Sequence, residues 1–158
     1  MADVVVERVR TPAQLDEAFA VRVEVFVGEQ RVPPELELDE ADHAPTTTHV
    51  LARPARGGAA IGTARLLTDV ERPGQAHIGR VAVAAAARGA GVGSALMGAL
   101  ERIALAEHAG ADGAVTVLLS AQVQAIGFYE RLGYTVTGEV YLDAGIDHRD
   151  ASKVIARA

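Results

Sequence analysis

Residues 88–96 read RGAGVGSAL, three glycines within five positions directly ahead of a run of helix formers. The first N–H groups of a helix have no partner inside it, and the helix dipole adds positive potential there. A glycine turn opening a helix is therefore a cradle for phosphate. Nucleoside triphosphate loops need G-x-x-x-x-G-K-[ST]. Gly93 and Gly98 have that spacing, but Ala99 stands where the lysine belongs. Gly89, Gly91 and Ser94 imitate the dinucleotide pattern G-x-G-x-x-G. That pattern follows its strand at once and opens its domain, whereas here Ala84–Ala87 intervene and about four candidate strands come earlier.

The elements that must position this turn belong to a chain of single-domain size, 158 residues and 49% hydrophobic, treated as one domain over 1–158. Its 15 basic and 21 acidic residues leave a net charge of −6, which argues against nucleic acid or an anionic membrane as partner. The same charge is compatible with a cationic substrate, and with solubility alone. There is no cysteine, so disulfides, thiolate metal sites and cysteine nucleophiles are excluded. Lys153 is the single lysine, which disfavours Schiff-base chemistry. The five histidines lack metal-ligand spacing, so no metal is expected. The opening MADVVVER is too short and acidic for a signal peptide, and no apolar run reaches membrane-spanning length. A cytoplasmic protein is expected.

Local signals order the elements. VVVERV (4–9) reads as a strand. Thr11 is an N-cap, Pro12 takes the first helical position and Gln14 completes a capping box. The following VRVEVFV fits both periods: Val21, Val23, Val25 and Val27 alternate, while Leu15, Phe19, Val23 and Phe26 make a helical stripe. The cap and the absence of a breaker before Gly28 favour helix. Residues 28–45 form an acidic, proline-bearing loop with room for a helical turn. Strands follow at THVLARP, AAIGTARLL and QAHIGRVAV, then a helix from about Gly91 to Ala109. AVTVLLSA is a near-continuous apolar strand, expected to be buried on both faces. QVQAIGFYERL is a short helix ended by Gly133, and YTVTGEVY and HRDASKVIAR close the chain as strands.

The segment VAVAAAARGAGVGSALM resembles the coenzyme A loop of the GCN5-related N-acetyltransferase (GNAT) superfamily, R-x-x-G-x-[GA], through Arg88, Gly91 and Gly93. AQVQAIGFYERLGY, about 35 residues on, resembles the family's second signature, an amide residue followed by A-x-x-F-Y-x-x-x-G-[FY]. The stretches VRVEVFVGEQRVPPELELDEAD, GTARL, IGRVAV and GEVYLDAGIDH are similar to its ElaA-like branch, so the resemblance covers nearly the whole chain. DHRDASK departs from that branch in lacking the Met that often follows the His. The resemblance implies an α/β (α+β) GNAT fold: a mixed, mostly antiparallel sheet of about six to seven strands, a splayed central pair and flanking helices.

It also implies acetyl-CoA as acyl donor and a small-molecule primary amine as acceptor, with a homodimer left open. Val81, Ala82 and Val83 would offer backbone to the pantetheine arm where the central strand splays. Arg88, Gly89, Ala90, Gly91, Val92, Gly93 and Ser94 would offer N–H groups to the pyrophosphate. Gln122 stands where many relatives carry Asn and would contact the pantetheine or order the helix start. Phe128 and Tyr129 are adjacent, one packing inward and the other facing the cofactor. Tyr129 matches the family's acid, the group that protonates the departing thiolate. His77 lies where some relatives carry a Glu acting through water, and imidazole suits a base; an exposed strand histidine is the other reading. Glu40, Asp42 and His43 form a cluster in the loop bordering the substrate cleft, or else a solvated acidic surface. Arg22, with Glu24, Glu29 and Gln30, belongs to the branch's N-terminal signature and would touch substrate or pair with a carboxylate. Arg65 and Arg80 would bind a substrate anion or pair with the acidic loop. Two other functions stay open, a non-catalytic acyl-CoA-binding module and a protein N-terminal acetyltransferase.

Overall fold

The computed structural model describes residues 3–157. Seven strands form one sheet in the order β1-β2-β3-β4-β5-β7-β6. They are β1 (Val4–Arg8), β2 (Thr48–Pro54), β3 (Gly62–Leu67), β4 (Gln75–Val83), β5 (Ala114–Gln122), β6 (Thr135–Asp143) and β7 (Ile146–Ala156). All pairings are antiparallel except β4 with β5. Helix α1 (Pro12–Arg22) opens on the expected capping box, Thr11 and Gln14 each bonding the other's backbone N–H. The ambiguous valine stretch is helical and runs on as π-helical turns from Val23 to Glu29. Burial of Val25 and Phe26 against Ala82 selects the helical period over the alternating one. The acidic loop holds one turn of helix, α2 (Pro34–Glu37), and a 3₁₀ turn at Glu40–His43.

Helix α3 (Val92–His108) lies across the sheet, with Leu96, Met97, Leu100 and Ala104 fully buried. Strand β5 is not buried on both faces: Val115, Val117, Leu119 and Ala121 face the core while the residues between them are partly or fully exposed. The second face borders a cleft, so apolar content there does not mean full burial. A 3₁₀ turn leads from β5 into α4 (Ile126–Arg131), and Gly133, at φ +98°, ends it as expected. Among the described residues no helix is long and apolar enough to cross a membrane.

Two irregularities of β4 shape the site. Thr63 pairs with Ala82 and Arg65 with Gly79, so β4 spends three steps where β3 spends two. The extra residue sits in β4, where Arg80 adopts φ +52°. A one-residue bulge flips every later side chain. Accordingly Ala76 and Ile78 enter the main core, while Ala82 enters the smaller cluster beneath the π-helical turns. Beyond the bulge, β4 also loses β5. The two pair only at Gln75–Thr116, Ala76–Val117 and His77–Leu118. Each arm of this fork stays anchored on its outer side, Val83 to Gly62 and Gln122 to His148.

Candidate active site

The fork opens into a cleft of about 660 Å³. One wall is Val81, Ala82 and Val83, and the other is Leu119, Ser120 and Gln122. Backbone groups on the facing edges of β4 and β5 have no ladder partner there and are free to bond a ligand lying between the strands. Val25, Phe26 and Leu36 line the side covered by the first helices, and Asp143, Ala144 and His148 line the side covered by the β6–β7 turn.

The glycine turn follows Arg88 of the cleft wall and leads into α3. Gly91 is the N-cap of α3 with φ +80°, and no side chain caps the helix. The first N–H groups of this 17-residue helix thus keep their full capacity for an anion. Gly89 also has positive φ, whereas Gly93 is needed for another reason: a Cβ there would lie 3.1 Å from Cζ of Phe128. Phe128 packs on the core side against the start of α3, and it is Tyr129 that lines the cleft. Phe128, expected at the cofactor, is thus placed against Gly93 of the glycine turn and not among the residues that line the cleft. Arg88 points its guanidinium at Glu29, at 2.7 and 2.8 Å, and donates from Nε to the Val83 carbonyl at 3.1 Å, so its side chain ties the π-helical turns to the fork.

Tyr129 packs edge-on against Phe128 and Tyr134, at centroid distances of 5.0 and 6.0 Å. Burial pushes its phenol up to about 12, and no hydrogen bond contributes to the shift. The hydroxyl is therefore protonated throughout the neutral range. Gln122 donates to Gln30 across the cleft at 2.7 Å and accepts from Gln124 at 2.6 Å. His77 is exposed on the last paired rung before the fork and lines the cleft.

The charged loop folds inward. Arg22, only 1% exposed, donates from Nη1 and Nη2 to Asp42 at 2.6 and 3.1 Å. Its Nε reaches the Glu37 carboxylate at 2.8 Å, and Nη2 reaches the Glu37 carbonyl at 2.7 Å. Arg65 joins the cluster through Asp39 and Asp42, and Arg80 through Glu37 and, more distantly, Asp39. The guanidiniums and the Asp39 N–H outweigh burial and hold the Asp42 carboxyl well below the usual range. Burial pushes His49, which bonds the Asp42 carbonyl, down from the ordinary imidazole value. Arg22 and Asp42 are consequently not substrate contacts: both are buried and satisfied by protein partners. Glu40 and His43 are exposed outside the cleft, His43 lying edge-on to Phe19. Of the expected acceptor residues Arg80 and the largely buried Arg65 line the cleft, joined by Glu37.

Of a polar group beside the fork, Gln122 alone had a role assigned from sequence. Gln122, His148 and Tyr141 lie opposite one another across β5, β7 and β6, and directly opposed residues share a sheet face. Tyr141 bonds Ser120 and donates to Asp150 at 2.6 Å. The alternation of Ser120 with Gln122 and of His148 with Asp150 is the one sequence signal for this face. It needs the strand register before it can be used.

The chain as a whole is matched in known proteins. Residues 15–134 match the acetyltransferase (GNAT) family model, and the chain belongs to that family, whose members use acyl-CoA as donor. It is an acyl-CoA-dependent N-acyltransferase of the ElaA-like kind. The uncharacterized N-acetyltransferase YjcF of Bacillus subtilis is 39% identical over 142 residues, 89% of this chain and 92% of that one. Protein ElaA of Escherichia coli is 30% identical over 146 residues, 92% of this chain and 91% of ElaA. The crystal structure of ElaA superposes with a TM-score of 0.81 at 26% identity, covering 95% of this chain and 99% of that one. An acyl-CoA N-acyltransferase from Pseudomonas aeruginosa superposes at 0.79 with 33% identity, covering 97% and 99%. The expected fold, with its splayed pair, is the one observed.

Proposed function

We propose that the protein transfers acetyl from acetyl-CoA to the primary amine of a small molecule, directly, in a ternary complex. The observation that carries this reading is the forked cleft. The unpaired arms of β4 and β5 suit a pantetheine amide chain and a protonated phenol lines the same space, while the uncapped helix start that follows Arg88 of the cleft wall suits pyrophosphate. Val81–Val83 bond the pantetheine, the N–H groups from Gly89 to Ser94 hold the pyrophosphate, and Gln122 bonds the arm from the opposite wall. Tyr129 donates its proton as the C–S bond breaks. The thiolate forms in the same dry space, so the burial that raises the phenol raises its proton affinity too. The helices over α1–α2 and the β6–β7 turn close down on the acceptor side, and a volume of about 660 Å³ suits a cofactor arm with a small acceptor better than a folded protein.

The test has two stages. Acetyl-CoA should raise the melting temperature by mass action, with NAD and ATP giving much smaller shifts at equal concentration. A panel of primary amines is then mixed with acetyl-CoA, and released thiol is read with a chromogenic disulfide. A larger shift with NAD would overturn the reading. A shift with acetyl-CoA but no thiol release from any amine would transfer the protein to the non-catalytic, acyl-CoA-binding class.

A further inference from the structure

Acetyl transfer to an amine needs a group to take a proton from nitrogen, and the cleft contains two imidazoles, His77 and His148. They are held very differently. His77 is exposed, and its strand is in register with β5 only up to that residue. His148 is 8% exposed and fixed from two sides. Its Nδ1 lies 2.7 Å from the Ile146 carbonyl oxygen. A carbonyl only accepts, so Nδ1 carries the proton in the neutral ring and Nε2 is left with its lone pair. The ring is stacked on Tyr141, with centroids 6.1 Å apart and 22° between planes. The Tyr141 hydroxyl is itself tied to Asp150 and Ser120. Tautomer and orientation are thus both set by the protein, as positioned bases require.

We propose that His148 is the general base of the transfer. This rests on the acetyltransferase reading above and adds to it the group that activates the acceptor. The amine enters as an ammonium and Nε2 of His148 takes one proton, freeing the nitrogen lone pair. Nitrogen attacks the thioester carbonyl carbon, the C–N bond forms, and the C–S bond breaks with its electron pair passing to sulfur. Sulfur takes the Tyr129 proton, the second proton lost by nitrogen restores the phenol through water, and the proton on His148 leaves to solvent. The other titratable and charged groups that line the cleft are Glu37, Arg65, Arg80, Arg88, Tyr129 and Asp143, and the Tyr141 on which the ring stacks is bonded to Asp150.

His148→Asn tests this, because the Asn amide keeps an N–H near the Nδ1 position while deleting Nε2. With an amine that turns over in the panel, kcat should fall by about 10² or more. The acid limb of kcat should move toward the amine's own, more alkaline range. The acetyl-CoA-induced melting shift should be retained, which separates lost chemistry from lost folding or lost cofactor. A variant with unchanged kcat and pH profile overturns the proposal, as does a limb that survives in His148→Asn and disappears in His77→Asn. Nitrogen-15 spectra of the imidazoles give a check that needs no acceptor. Nδ1–H with bare Nε2 in His148 is the expected tautomer, and the reverse overturns it. Wild-type protein that binds acetyl-CoA yet acetylates nothing while showing the expected tautomer counts against the acetyltransferase reading, and the base assignment falls with it.

Discussion

Replacing Arg22 by Met should destabilise the protein strongly, and by an amount that depends on pH. The methionine keeps most of the apolar stem, so the change isolates the guanidinium. Four hydrogen bonds go with it, three to the carboxylates of Glu37 and Asp42 and one to the Glu37 carbonyl. Removing one partner of a buried ion pair costs about 3–5 kcal/mol, because the opposite charge remains in a dry site. The loss here belongs at the lower end. Asp42 keeps Arg65 at 2.8 Å and the Asp39 N–H at 3.0 Å, and Glu37 keeps Arg80 at 3.2 Å. About 3 kcal/mol corresponds to a drop in Tm of about 6–12 °C for a chain of this size. The Asp42 carboxyl is held below its unfolded value, so its contribution is complete above about pH 4 and fades as pH falls further. In Arg22→Met the share of that contribution owed to Arg22 is gone, while Arg65 and the Asp39 N–H keep the rest. Circular dichroism melts at pH 7 and pH 3 should therefore show a large difference between the proteins at pH 7 and a smaller one at pH 3. A drop of less than about 2 °C at pH 7, or a difference independent of pH, would refute the reasoning. Since α2 carries Leu36 and Glu37 to the cleft, the acceptor KM should rise more than acetyl-CoA affinity falls.

Tyr129→Phe keeps the ring packing, so Tm and acetyl-CoA affinity should hold while kcat falls by about 10² or more; steady-state kinetics beside a melt distinguish this from a structural hydroxyl. Gly91→Glu puts a side chain at φ +80° and a carboxylate at the helix start. The unliganded Tm should drop by only a few degrees, as about 1–2 kcal/mol of left-handed strain implies, while the acetyl-CoA-induced shift disappears. Glu40→Gln and His43→Gln alter groups outside the cleft, and their kcat and KM should equal the wild-type values in the thiol-release assay. Wild-type Tm itself should decline as pH falls below about 4, since Asp39 as well as Asp42 is held below its usual range by its arginine partners.

Much of this was legible along the chain because the signals are local. A capping box at Thr11–Gln14, a glycine turn before a helix former run, and a glycine stop at Gly133 each act within a few residues, and each lies where the sequence places it. Family motifs located the turn and Tyr129 for the same reason, as compact words in the sequence. What the tertiary structure decided are the pairings between distant residues. Arg22 meets Glu37 and Asp42 because the π-helical turns and α2 fold back over the sheet, which turns three charges from surface or substrate candidates into one buried cluster. The periodicity of VRVEVFV admits helix and strand alike, and packing against Ala82 decided between them. That contact in turn exists only because a bulge at Arg80 reverses the faces of β4. His148 is held by the nearby Ile146 carbonyl, but its stacking on Tyr141 and its place beside Gln122 come from cross-strand register, a relation that depends on how three strands align.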